Sequence, residues 1–184
     1  MEPRQYIQGI LKRLHTIKSE ITELAAPLTA EQLNFKPNPK SWSIAEVMEH
    51  IITANATYFS GIAELISSNP SSKASGTYSH NLMARMMVYF LRPDGMKLPA
   101  PPVFEPESSH LDQHIIQRLE QNFREIESFI EDAKEMDLVR LKMPSPALSL
   151  LYFNLGGVFD ILVTHAERHY KQMKRVLAAE GFPR

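Results

Sequence analysis

The sequence predicts an all-α fold, a four-helix bundle with a long crossover between its second and third long helices. Three observations predict it. Four stretches carry apolar residues at helical spacing. Prolines and small polar residues fall mainly between those stretches. No stretch alternates apolar and polar residues as a half-buried strand does. Residues 1–184 read as a single domain, long enough to bury roughly 70% of the surface that the unfolded chain exposes.

The first helix is marked by Ile7, Ile10, Leu14, Ile17, Ile21 and Leu24, spaced three and four apart like the seam of a bundle helix. Pro27 ends it. Thr29 and Gln32 form a capping-box pair that opens a short turn, which Pro37 and Pro39 close. The second long helix opens at Ser43, with Glu46 as its capping partner. Trp42 and Val47 stand where a hydrophobic staple places them. Its stripe is Ile44, Val47, Ile51, Ala54, Tyr58, Ile62 and Leu65, and a Ser/Asn/Pro run at 67–72 stops it.

Residues 79–92 predict a further helix, rich in Met83, Met86 and Met87. Pro93, Pro99, Pro101, Pro102 and Pro106 then predict restrained, extended backbone. The third long helix is expected from about Ser109 to about Asp137, with Ile115, Leu119, Phe123, Ile126, Phe129, Ile130, Ala133 and Met136 inward. The last helix is expected to start between Ser145 and Gly157 and to run to Glu180, with Gly181 as its stop. The connection from the second to the third long helix is long enough to lay those two helices parallel.

Composition excludes several classes of function. The chain has no cysteine, so a disulfide framework, a Cys-ligated zinc site and an iron–sulfur cluster are excluded, as is a thiol nucleophile of its own. Any metal must be held by His, Asp or Glu. Lys and Arg number 20 against 21 Asp and Glu, a balance that argues against a nucleic-acid partner. No apolar run approaches the ~20 residues of a membrane helix, and the start Met1–Gln5 lacks the apolar stretch of a signal peptide. A cytoplasmic protein without a membrane partner is expected.

The histidines carry the chemistry. On the last helix the seam reads Val158, Leu162, His165, His169, Gln172 or Met173, Val176. Two histidines occupy positions where apolar residues belong, and at i and i+4 they lie on one face. Such a pair either reaches one metal ion or consists of two groove histidines with hydrogen-bond partners for both ring nitrogens. His110 and His114 repeat the spacing. They sit beside the seam of Leu111, Ile115 and Leu119 and read as a solvated face in the first turn of the third helix. His15 and His80 read as surface residues. His50 borders the seam of the second helix, with the small residues Ala54, Thr57 and Gly61 further along its face. That leaves either room beside the imidazole or close helix packing.

Trp42-Ser43-Ile44 and Glu49-His50-Ile51, with a distant His165-x-x-x-His169-x-x-Gln172, resemble the DinB-like family of four-helix bundles. The resemblance covers nearly the whole chain. It implies a divalent metal held by one histidine of the second helix and two of the last, which here are His50, His165 and His169. Three neutral imidazoles leave a ligand position open, as catalytic sites do. They suit Zn or Ni first, with Fe or Cu also compatible, better than Mg or Ca. Glu49, Glu167, Asn55 and Tyr58 are nearest in sequence, with the two glutamates expected to point away.

The resemblance also implies function. Relatives include metal-dependent transferases and isomerases that use low-molecular-weight thiols such as bacillithiol or mycothiol, and a hydrolase with water in place of the thiol is a variant. The substrate would be a small molecule, with the proline- and methionine-rich loop lining an apolar pocket. The alternative is a non-catalytic, stress-related metal- or ligand-binding bundle, or one whose site is vestigial. A homodimer is expected, because four seams cannot consume Met86, Met87, Phe90, Leu91 and the run from Leu148 to Phe153.

Overall fold

A computed structural model describes residues 1–74, 76–95, 104 and 110–184. Helix α1 spans Pro3–Ala25, with Pro3 in its first turn, where a missing N–H costs nothing. It buries Ile7, Ile10, Leu14, Ile17 and Ile21. Leu14 is 1% exposed, so truncating it to Ala would cost about 2–5 kcal/mol. The short helix α2, Ala30–Asn34, and the long helix α3, Ile44–Ser68, both open with complete capping boxes, from Thr29 with Gln32 and from Ser43 with Glu46.

Helix α4 spans Leu82–Leu91 and is capped by Asn81. Helix α5 spans His114–Asp132. It is shorter at both ends than the sequence suggests. Residues 110–112 are not helical, and Gln113 makes no side-chain cap bond. His110 therefore lies outside the helix, and the two histidines do not share a turn. Ala133 and Met136 remain buried, carried by the turn that follows. Pro99, Pro101, Pro102 and Pro106 lie outside the described residues.

Strands β1 (Lys142–Pro144) and β2 (Tyr152–Asn154) pair antiparallel, with Met143 opposite Phe153. The expectation of no strand is thus corrected by one small hairpin. Three-residue strands are too short to show a period of two, and Met143 and Phe153 are buried as a facing pair. Helix α6, Leu155–Leu177, follows β2 directly, and Gly181 takes the left-handed conformation at φ 79° beyond it. Gly156 and Gly157 bend nothing. A Cβ at either would collide with Tyr78 or Ala84, so their bareness lets α4 and its approach pack on α6.

α1, α3, α5 and α6 form the bundle, with α1 and α3 each packed against both α5 and α6. Cross-helix pairs give the directions. Glu49 faces Arg118, Asn55 bonds Asn122 and Phe59 meets Phe129, so α3 and α5 run the same way. His15 meets Glu127 while Thr22 meets Glu120, so α1 opposes α5. Tyr6 reaches Gly156 and Arg13 reaches Asp160 and Glu167, so α1 and α6 run together. α3 and α6 are therefore antiparallel, and the start of α3 shares an end of the bundle with the close of α6. No described helix is long and apolar enough to cross a membrane.

Candidate metal centre

Three elements of local sequence bring the site together. The capping box at Ser43 and Glu46 fixes where α3 begins, and His50 follows two turns on. Trp42, one residue outside that cap, lies against the site. Its ring is 4.8 Å from that of His50 and 6.4 Å from that of His169. His165 and His169 project from α6 one turn apart, on the face turned to α3.

The three Nε2 atoms form a near-equilateral triangle. His50 stands 3.1 Å from His165 and 3.1 Å from His169, and His165 stands 3.0 Å from His169. The other ring nitrogens fix the protons. His50 Nδ1 donates to the Phe104 carbonyl, and His169 Nδ1 donates to Gln172 Oε1 at 2.9 Å. A neutral imidazole that donates from Nδ1 has a bare lone pair at Nε2. His50 and His169 thus aim two acceptors at each other with no hydrogen between them. His165 can donate to one or share one proton between both, but it cannot satisfy that edge. The donor set calls for a cation at the centre of the triangle.

The spacing fits one. Nitrogens about 2.0–2.1 Å from a single zinc stand about 3.3–3.4 Å apart in a tetrahedral set and about 2.8–3.0 Å in an octahedral one. The observed 3.0–3.1 Å lies between these. His50, His165 and His169 are the one His/Asp/Glu group of metal-binding geometry among the described residues. A proton is a poor substitute. Burial pushes the imidazole pKa of His169 down to about 3, and the His50 charge adds to that. Burial likewise holds His165 well below the usual 6.5, with His169 and His50 contributing, and lowers His50 against an opposing pull from the Phe104 carbonyl. Neutral rings with inward lone pairs are the state that binds metal.

The triangle lies on the wall of a cavity of about 770 Å3, a volume suited to a small-molecule ligand. Apolar lining comes from Met87 and Leu91 of α4 and from Ile161 and Leu162 of α6. Asn55 and Tyr58 also line it. Asn55 Nδ2 donates to Asn122 at 2.7 Å, while its buried Oδ1 has no hydrogen-bond partner among the described residues.

The remaining sequence candidates go elsewhere. Glu49 is buried against Arg118, and Glu167 accepts from Arg13, so both glutamates turn away from the triangle as expected. His15 is exposed and pairs with Glu127. His110 and His114 are exposed. His80 is corrected from a surface residue to a member of a half-buried network. Its Nε2 lies 2.9 Å from Asp160 Oδ2 and 3.3 Å from the Tyr6 hydroxyl, while Arg13 Nη1 donates to Asp160 Oδ1 at 2.6 Å. The sequence holds a signal for this, since Asp160 interrupts an apolar run from Val158 to Val163. Sequence reasoning also misses the side chains that surround the triangle: Trp42 as a ring neighbour, and Lys40, Arg168 and Arg175 as cations on the cavity wall.

A family model described as the DinB superfamily matches residues 13–173, a span that includes all three histidines. No curated protein and no solved structure matches the chain.

Proposed function

We propose, from the premise that this chain belongs to the DinB superfamily, a divalent-metal-dependent enzyme that activates a low-molecular-weight thiol, or water, against an apolar electrophile. The observation that supports this reading is the Nε2 triangle, 3.0–3.1 Å on each side, on the wall of a cavity of about 770 Å3. A metal held by His50, His165 and His169 would supply a lowered pKa for a thiol or water. Three histidine ligands favour Zn or Ni, with Fe and Cu next.

The chain's own residues have distinct tasks. The Phe104 carbonyl and Gln172 Oε1 hold the His50 and His169 rings with Nε2 inward. Trp42 covers two of the rings and limits their rotation. Met87, Leu91, Ile161 and Leu162 offer an apolar wall to the electrophile. The chain contributes no thiol of its own, since it has no cysteine.

The test is metal content together with turnover. Untagged protein reconstituted with Zn or Ni should hold close to one ion per chain. It should conjugate a thiol such as bacillithiol or mycothiol to 1-chloro-2,4-dinitrobenzene only when loaded, and His165→Ala should abolish both properties. Failure to bind either metal would sink the reading. A bound ion without thiol-dependent or hydrolytic turnover would leave a metal-binding module.

Self-association belongs to the same proposal. Leu82, Met86 and Tyr89 of α4 are exposed, as are Leu148, Leu150 and Tyr152. The two groups are tied where Asn81 Nδ2 donates to the Tyr152 carbonyl at 2.7 Å. Light scattering should give twice the 21.0 kDa chain mass. A monomer mass would overturn the dimer.

A further inference from the structure

The cavity is longer than one small thiol needs, and its two ends differ in charge. Its lining residues on α6 run from Ile161 to Val176, about 23 Å at 1.5 Å per residue, with Ala179 just beyond the helix. Toward the start of α6 its wall includes Ala54, Tyr58 and Ile161, all neutral. Toward the close of α6, where the antiparallel α3 begins, it carries Arg175 and Lys40, with Arg168 beside the histidines. Among the described residues, no Asp or Glu lines it.

Among the described residues, the charged side chains on its wall are all cations, and a divalent ion at the histidines would add to their charge. Arg168 is held in place: its Nη1 donates to the carbonyls of Phe90 at 3.4 Å and Arg92 at 3.1 Å, at the close of α4. Lys40 and Arg175 are exposed at that end, where a ligand tail can reach them. Charged walls of one sign concentrate ligands of the other sign, and arginine's planar fork suits carboxylate and phosphate.

We infer that the cationic arm formed by Lys40 and Arg175 binds an oxyanion group, carboxylate or phosphate, on the cosubstrate whose other end reaches the three histidines, while the neutral arm takes the uncharged partner. The inference rests on the thiol reading above for the identity of the metal-facing end, but not for the anion itself.

The experiment uses zinc-loaded full-length protein. Calorimetry compares mercaptosuccinate, a thiol with two carboxylates, with the uncharged 3-mercapto-1,2-propanediol. Mercaptosuccinate should bind at least tenfold more tightly. The K40A/R175A double variant should erase most of that difference, leave the neutral thiol unchanged and retain its zinc and its melting temperature. In a second arm, succinate and inorganic phosphate, neither a thiol, are tested by thermal shift. Whichever the arm accepts should raise the melting temperature of the native chain and not that of the double variant, which identifies the oxyanion. Equal binding of the two thiols, unaltered in the double variant, would overturn the inference and leave the thiol reading intact. If neither thiol binds while an oxyanion still stabilises through Lys40 and Arg175, the thiol reading falls and the anion arm stands. If nothing binds, both fall.

Discussion

Helix α6 turns two polar faces inward. The face toward α1 presents Asp160, Thr164 and Glu167; the face toward α3 presents His165 and His169. On the first face every charge meets a partner within the chain. Arg13 donates to Asp160 at 2.6 Å, to Thr164 at 2.8 Å and to both oxygens of Glu167 at 2.8 Å, and His80 closes the far side of Asp160. On the second face, among the described residues, the inward nitrogens meet only one another. A closed network stabilises a fold by itself, whereas a set of converging acceptors is stabilised by what it binds. The two faces should therefore respond differently to the same perturbations.

The largest contrast comes from removing one inward imidazole. Replacing His169 with Ala should weaken metal binding by more than about a hundredfold, beyond the 10–100-fold typical of losing only a ligand's support. Stability of the metal-free protein should barely fall, since the substitution removes a repelling lone pair along with some packing. Elemental analysis and denaturant titration check the two halves. A metal-free variant destabilised as strongly as a core truncation would mean that the triangle serves the fold.

Acid separates the faces along the pH axis. A histidine whose folded pKa is depressed stays neutral in the fold while the unfolded chain takes up protons. Stability from that group is therefore complete above about 6.5 and declines as pH falls. For His169, with its folded pKa near 3, the slope is about 1.4 kcal/mol per pH unit over that interval. Asp160 behaves differently. Burial pushes its carboxyl up, but His80 and Arg13 outweigh burial and hold it below its ordinary value. Its contribution is intact above the unfolded carboxylate pKa of about 3.9 and is lost only below that. In metal-free protein, His169→Ala should flatten the decline between pH 6.5 and 4, and Asp160→Asn should leave that interval unchanged. EDTA should lower the melting temperature of loaded protein clearly at pH 7.5 and hardly at pH 5, where protons have displaced the metal already.

A smaller effect is expected from Arg13→Ala. It leaves Asp160 buried with His80 and the Thr164 hydroxyl, which donates to Oδ1 at 3.0 Å. The Arg13 side chain is 38% exposed, so water screens part of what is lost, and a cost of about 2 kcal/mol follows. Metal content should not change. A loss of metal would mean that the two faces of α6 are coupled through the helix.

The sequence makes the metal face easier to read than the closed one. His165 and His169 announce themselves because they replace apolar residues in a seam, and α3 is framed by a capping box whose residues lie three apart. Signals of that kind are local. The closed network is not local: Tyr6, Arg13, His80 and Asp160 come from three separate parts of the chain, and no spacing connects them. The hairpin is hidden for a related reason, as its pairing is specified by Met143 and Phe153 meeting across a loop. The start of α5 falls later than the expected Ser109, because the cap position is held by Gln113, which makes no side-chain bond and leaves no local signal. Arg168 and Arg175 stand seven residues apart on the same stripe as the histidines, but charged residues on a helix ordinarily read as its solvated face.

The smallest expected effect belongs to the pair that copies the metal face in sequence. His110 and His114 have the same i, i+4 spacing as His165 and His169, and spacing alone does not distinguish them. Structure does. His110 precedes the helix, so the geometry that would stack the two rings is absent. His114 opens α5 with its Nδ1 3.3 Å from Gln117 Oε1, and both histidines are exposed. An exposed imidazole is satisfied by water and has no reason to exchange it for a dilute ion. Replacing both with Ala should leave metal content unchanged and stability within about 0.5 kcal/mol of the native chain. That outcome, beside the loss caused by His169→Ala, would show that a histidine pair becomes a site here through burial and a third ring from a facing helix. Loss of metal from the His110/His114 variant would reverse the assignment and move the centre to the start of α5.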